Sequence, residues 1–154
     1  VEAAEEANAR QKLHIVKKIK THFKDSGLKG KTIGIWGIAF KPNTDDIREA
    51  PALVIMDALL KEGAHVQAFD PVAEDNARKI YGNKIKFCTT SYEAAQGADA
   101  LVLVTEWNEF RHANMNRVKD LLKQAVFFDG RNIMDPDQMK RLGFRYFAIG
   151  RNPV

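Results

Sequence analysis

The sequence predicts an α/β domain: three layers, α/β/α, around a mainly parallel sheet of about six strands, with a long helix in front. Two observations carry this expectation. From Gly30 onward, short apolar runs alternate with helix-patterned segments, and the connections between them are short. One of these runs, Ala100-Leu101-Val102-Leu103-Val104, is apolar on both faces, as a strand in the middle of a parallel sheet must be.

The elements follow in order. From Val1 to about Lys24 the pattern is helical, with Leu13, Val16, Ile19 and Phe23 forming one apolar stripe. Glu2, Glu5 and Glu6 precede Lys17, Lys18 and Lys20, the polarity that the helix dipole favours. Asp25-Ser26-Gly27 ends this helix, which reads as a connector or an oligomer contact. Thr32 to Trp36 is the first strand, and Pro51 opens a helix that runs to about Lys61 and stops at Gly63. His65 to Phe69 is the second strand, broken by Asp70-Pro71. A polar helix then runs to Tyr81, and a short strand surrounds Phe87. Ser91 caps a short helix before the strand Ala100 to Val104. A helix from about Met115 to Lys123 leads to the strand Ala125 to Phe128. Asp135 to Leu142 is the last helix, stopped by Gly143, and Phe144 to Ile149 is the last strand.

The chain has 154 residues, 45% of them hydrophobic and 29% charged, the balance of a single globular domain rather than a disordered segment. No apolar run approaches the ~18 to 20 residues needed to cross a bilayer. No secretory leader pattern is present, so the protein is expected in the cytoplasm, away from membranes. The only cysteine, Cys88, lies in an apolar-flanked strand and is read as a buried structural residue rather than a nucleophile. The net charge of +4 favours anionic ligands. Its densest cluster, Lys17-Lys18-Ile19-Lys20, reads as a solvated helix face and not as a nucleic-acid patch. The 4 histidines are dispersed, and no metal-ligand spacing or Ser-His-acid set is visible. The start at Val1, without an initiator methionine, suggests a piece of a longer protein.

In an open parallel sheet, ligands bind beyond the carboxyl ends of the strands. The segments to watch are therefore Gly37 to Arg48, Asp70-Pro71, Thr105-Glu106-Trp107 and Asp129-Gly130-Arg131. Set against the dinucleotide fingerprint G-x-G-x-x-G, the first segment reads Gly37-Ile38-Ala39-Phe40-Lys41-Pro42 and keeps only the first glycine. Ala39 restricts backbone approach to a pyrophosphate and Pro42 removes an amide donor, which argues against NAD lying on this loop. The loop offers charge instead. Lys41 can meet a phosphate as a point charge and Arg48 as a fork, while Asp45 and Asp46 are equally able to pair with these cations at the surface. Arg131 emerges after a buried strand and a glycine, with Asp129 as a candidate salt-bridge partner that would orient it. Asp70 stands where a ribose-binding acid would stand, but Asp-Pro is more simply a strand-ending turn. Glu106 and Trp107 read as capping or packing residues as readily as ligand contacts.

The run Gly37-Ile38-Ala39-Phe40-Lys41-Pro42-Asn43-Thr44-Asp45-Asp46-Ile47-Arg48-Glu49-Ala50-Pro51 resembles the signature of the C-terminal, UDP-binding domain of the UDP-glucose/GDP-mannose dehydrogenase family. Phe69-Asp70-Pro71, Thr105-Glu106-Trp107-Asn108-Glu109-Phe110 and Phe128-Asp129-Gly130-Arg131-Asn132 agree in order and spacing, so the resemblance covers about Gly30 to Gly150. The Thr-Glu-Trp segment points to the UDP-glucose 6-dehydrogenase branch. The resemblance implies a Rossmann-like domain at residues 28–154, with residues 1–27 as the end of a central dimerisation helix.

It further implies a parent enzyme that oxidises UDP-glucose to UDP-glucuronate with two NAD molecules, through a catalytic cysteine. That cysteine and the main NAD-binding domain belong to family segments not matched here, and Cys88 fits neither, so no catalytic residue and no activity are expected of this stretch alone. By resemblance, Phe40 and Lys41 contact the UDP-sugar, Arg131 helps close the site, and Arg48 reaches NAD across a domain interface. The implied partners are a nucleotide sugar, the NAD domain of the same chain and a second subunit. Ala50 departs from the serine that relatives often carry, which removes a hydroxyl cap at that helix start. Other sugars of the family, UDP-N-acetylmannosamine or GDP-mannose, and a free-standing nucleotide-binding module remain alternatives.

Overall fold

The computed structural model describes residues 13–149. Strands β1 (Thr32–Trp36), β2 (His65–Phe69), β3 (Lys86–Phe87), β4 (Ala100–Leu103), β5 (Val126–Asp129) and β6 (Arg145–Ala148) form one sheet. Its order is β3-β2-β1-β4-β5-β6, and every neighbouring pair is parallel. The helices are α1 (13–22), α2 (Pro51–Lys61), α3 (Glu74–Tyr81), α4 (Ser91–Ala95), α5 (Asn108–Arg111), α6 (Met115–Leu121) and α7 (Pro136–Leu142). The expected Rossmann-like sheet is therefore present. Strand order reverses between β1 and β4, so the segments leaving these two strands diverge and open a crevice at the carboxyl edge.

Both faces of the sheet are covered. Alternation along β5 sends Phe127 and Phe128 to opposite sides. Phe127 packs edge-on to Trp36, whose ring stacks on Phe110 at 4.8 Å, and the Trp36 indole N–H donates to the carbonyl of Ser91 in α4 at 2.8 Å. Phe128 stacks on Phe147 at 4.7 Å, and His22 of α1 meets both rings edge-on. Burial and the Arg145 charge together lower the His22 pKa from its ordinary value. Gly34 lets α4 reach β1, because a Cβ there would run into the Ala94 carbonyl oxygen. Gln67, buried within β2, donates to the carbonyls of Ala94 and Gln96 at 2.9 and 2.8 Å and so satisfies the end of α4.

Three details correct the sequence reading. The inward stripe of α1 is Ile15, Val16, Ile19 and Phe23, whereas Leu13 is 59% exposed. Ile15 joins the hydrophobic core in its place. The Glu2, Glu5 and Glu6 part of the lead helix lies outside the described residues. Thr90, not Ser91, caps α4: its hydroxyl accepts from Glu93 N at 3.0 Å, while Ser91 is the first helical residue and buried. The loop after β4 also contains a one-turn helix, α5, too short to leave a periodic signal. At α2 the expected loss is seen, since the Ala50 side chain offers no cap and Pro51 alone marks the start.

Candidate functional site

The site is built from the segments leaving β1, β2, β4 and β5. Gly37 turns the chain out of β1 with φ 95°, and a Cβ there would lie 2.5 Å from Thr105, so only glycine fits. The two residues that follow are fully buried, and their amides point to one acceptor. Ile38 N and Ala39 N donate to Asp70 Oδ2 at 2.7 and 2.9 Å, and the Trp107 indole N–H joins them at 3.1 Å. Asp70 Oδ1 accepts from Val72 N and Ala73 N at 2.9 and 2.8 Å. The buried Asp70 carboxylate thus turns the Asp-Pro break into a hub for the ends of β1, β2 and β4, beyond the simple turn expected of it.

This hub decides whether NAD fits on the β1 turn. The amides that would cradle a pyrophosphate are consumed by Asp70, and Ala39 fills the place of the second fingerprint glycine. The residues present do not fit a dinucleotide here.

After Ala39 the chain leaves the core. Phe40 is 46% exposed although aromatic, Lys41 is exposed beside it, and Phe40 N donates to Asp46 O at 2.7 Å to close the loop. Arg48 stands at the far end with its side chain 88% exposed. Its Nε and Nη2 grip the Asp46 carboxylate at 3.0 and 2.9 Å, and its main-chain N–H adds a bond of 2.9 Å. The Arg48 side-chain bonds, followed by that main-chain bond, hold the Asp46 carboxyl at a pKa of about 2. Of the two readings open for these charges, pairing holds for Asp46 and Arg48. Asp45 instead presents its carbonyl to Asn76 Nδ2 at 2.8 Å.

Arg131 differs from expectation in its partner. Asp129 is fully buried: Oδ1 accepts the Arg131 main-chain N–H at 3.0 Å, and Oδ2 accepts from Ile133 N, Met134 N and the Tyr146 hydroxyl at 2.9, 2.9 and 2.7 Å. It shapes the turn and leaves the guanidinium alone. The side chain of Arg131 pairs instead through Nε with Glu106. Asn132 continues the turn at φ 56° and clasps the main chain of Ile149 through both side-chain atoms, at 3.2 and 2.9 Å.

The sequence reading missed how these parts are joined. Thr105 donates its hydroxyl to Ala39 O at 2.6 Å, Glu106 holds Arg131, and Trp107 holds Asp70. Three consecutive side chains therefore reach three different loops. The one available signal was position, directly after a strand apolar on both faces. Phe40, Lys41 and Arg131 thus belong to one framework at the carboxyl edge, and Arg48 lies at the outer end of it. Elsewhere, burial and then the Glu93 charge push the Cys88 thiol up to about 12, which suits its structural reading. Among the described residues no group of three or more His, Cys, Asp or Glu side chains could hold a metal ion, and no helix is long and apolar enough to cross a membrane.

Comparison with known proteins matches residues 34–136 to the UDP binding domain of the UDP-glucose/GDP-mannose dehydrogenase family. The chain belongs to this family. Over its whole length it is 43% identical to UDP-glucose 6-dehydrogenase TuaD of Bacillus subtilis, and over 97% of its length it is 42% identical to a UDP-glucose 6-dehydrogenase of Pseudomonas aeruginosa. It spans about a third of each of these relatives, 33% and 34%. Among solved structures it resembles a UDP-glucose dehydrogenase from Pyrobaculum islandicum, with a TM-score of 0.78 and 25% identity over 95% of this chain and 31% of that one. Within the family, the matched region holds all four strand-end segments described above.

Proposed function

We propose that the chain is the UDP-sugar-binding part of an NAD-dependent UDP-glucose 6-dehydrogenase, which oxidises the C6 alcohol of UDP-glucose to the carboxylate of UDP-glucuronate. The observation that carries this reading is the carboxyl-edge framework, in which an exposed aromatic, a lysine and an arginine lie on loops that Thr105, Glu106 and Trp107 tie to a turn whose amides are already taken. Phe40 supplies an apolar face, Lys41 a point charge and Arg131 a fork suited to a diphosphate. Identities of 42–43% to proteins named UDP-glucose 6-dehydrogenase support this sugar over UDP-N-acetylmannosamine or GDP-mannose.

In this reading, NAD is held mainly by a preceding domain of the same polypeptide, which also bears the catalytic cysteine, and Arg48 faces that cofactor across the interface. Helix α1 forms part of the end of the central helix through which two subunits associate, and the enzyme works in the cytoplasm without nucleic acid or membrane. What this chain does chemically is bind and orient. It fixes the diphosphate end of the substrate so that the sugar projects toward the neighbouring domain.

The test is calorimetric titration of the 154-residue chain. UDP should bind and NAD alone should not, and UDP-glucose with NAD should give no absorbance of reduced cofactor. Arg131→Ala should weaken UDP by about 1.5 to 3 kcal/mol, the scale of one charge-assisted contact. No heat with UDP at millimolar concentration, or NADH formed by this chain alone, would remove the reading.

A further inference from the structure

The loop after β4 carries Glu106, a carboxylate that a site for an anionic ligand would not be expected to keep. Its side chain is only 19% exposed, against 38% for the Arg131 side chain it holds. Building on the proposed diphosphate role of Arg131, we propose that Glu106 is a positioning residue that aims the Arg131 guanidinium at the ligand.

The geometry of the pair is asymmetric. Glu106 takes the Nε–H of Arg131, and among the described residues no partner engages the two terminal nitrogens. A carboxylate on Nε grips the side of the guanidinium and leaves its outer fork available for the paired oxygens of a phosphate. Both ends of the contact are themselves fixed. On one side, Arg131 N is tied to Asp129 at 3.0 Å and Gly130 N to Leu103 O at 2.8 Å. On the other, Glu106 sits between Thr105, bonded to Ala39 O at 2.6 Å, and Trp107, bonded to Asp70 at 3.1 Å. Because Ala39 directly precedes Phe40 and Lys41, the same segment sets the guanidinium in relation to both of them.

An arginine side chain loses considerable rotamer freedom when it binds a ligand. A guanidinium already held on one edge has less to lose, so the contact gains by preorganisation. The opposite arrangement would make Glu106 a competitor that the ligand must displace. The two differ in sign: removing a positioning group weakens binding, and removing a competitor strengthens it.

The experiment is UDP titration of the 154-residue chain and its variants. Glu106→Ala is expected to weaken UDP binding about tenfold. Glu106→Gln keeps a carbonyl acceptor for Nε–H and should stay within about threefold of the unsubstituted chain, a rescue that a pure charge effect would not produce. The Glu106→Ala/Arg131→Ala double variant should bind no more weakly than Arg131→Ala alone, because Glu106 acts only through Arg131. In the unsubstituted chain, the Arg131 Nε–H resonance should stay protected from exchange when UDP is added, a measurement that needs no substitution. Tighter or unchanged UDP binding by Glu106→Ala, additive losses in the double variant, or loss of the Nε–H resonance on saturation would each overturn the proposal. A chain that binds UDP yet ignores Glu106 refutes only this inference. Failure to bind UDP at all removes the nucleotide reading and this inference together.

Discussion

The Trp107 indole N–H donates to Asp70 Oδ2 at 3.1 Å, joining the segment after β4 to the end of β2, and the same oxygen receives the amides of Ile38 and Ala39. Asp70 is therefore surrounded by donors, three on one oxygen and two on the other. The consequence is that the amides a fingerprint loop would offer to a pyrophosphate are already taken by a carboxylate. In the proposed reading, the nucleotide-sugar site is assembled further out, by Phe40, Lys41 and Arg131.

Asp70→Asn should be destabilising despite its equal size. Donors converge on both carboxylate oxygens, so either orientation of the amide turns an NH2 group toward backbone N–H groups. A loss of about 3 kcal/mol is expected, from the cost of leaving buried donors unpaired. Urea unfolding of the two proteins measures it, and equal midpoints would remove Asp70 as the hub.

Arg48→Ala should leave UDP affinity unchanged, because Arg48 stands at the outer end of the loop and pairs with Asp46. In the proposed parent enzyme the same substitution should act on NAD. Side-by-side titrations with UDP distinguish Arg48 from Arg131, and a comparable loss in both would place them at one ligand.

The Asp46–Arg48 pair has a pH signature. The folded-state pKa of Asp46 is depressed to about 2. Its contribution to stability is thus present above the unfolded carboxyl value of about 4 and is lost as pH falls toward 2. Carboxyl NMR titration should give a midpoint near 2, and Arg48→Ala should raise it only part of the way toward about 4, because the main-chain N–H of residue 48 still donates to Asp46. Because Arg48 is exposed and Asp46 only partly buried, the effect belongs to the loop and not to global stability.

Cys88 should resist alkylation. Its thiol is pushed up to about 12 by burial, so at pH 8 the folded chain presents almost no thiolate. Iodoacetamide should react more than about a hundredfold slower than with the urea-unfolded chain. The sign of the linkage is that stability held below an unfolded value of about 8.5 declines as pH rises toward the folded value. Rapid labelling of the native protein at pH 8 would contradict the buried assignment.

Ala50→Ser should stabilise the domain. Ala50 has the extended backbone of a helix cap, φ −65° and ψ 134°, without a side-chain acceptor. Pro51 has no N–H and Leu53 N already donates to Ala50 O at 3.1 Å, so a hydroxyl there would cap Ala52 N, for a gain of about 0.5 to 1 kcal/mol in thermal or urea unfolding. A lower midpoint would mean that the buried site has no room for the oxygen.

The sequence by itself determined the kinds and order of the elements, because apolar periodicity is a local property of the chain. It was enough to identify β1 through β6, the Pro51 helix start and the Gly143 stop, and to place Gly37 to Arg48 at the ligand edge. Its motifs also carried the family. The tertiary structure alone decided the partners. Asp129 is two residues from Arg131 and looked like its counter-ion, yet the guanidinium goes to Glu106, which is 25 residues away in sequence. The reason is strand order: β4 and β5 are neighbours, so the segments leaving them meet, while the fully buried Asp129 is already saturated by backbone donors and a tyrosine. Likewise Leu13 is exposed and Ile15 buried, because packing against the core, and not the periodicity alone, decides which side of a helix is covered.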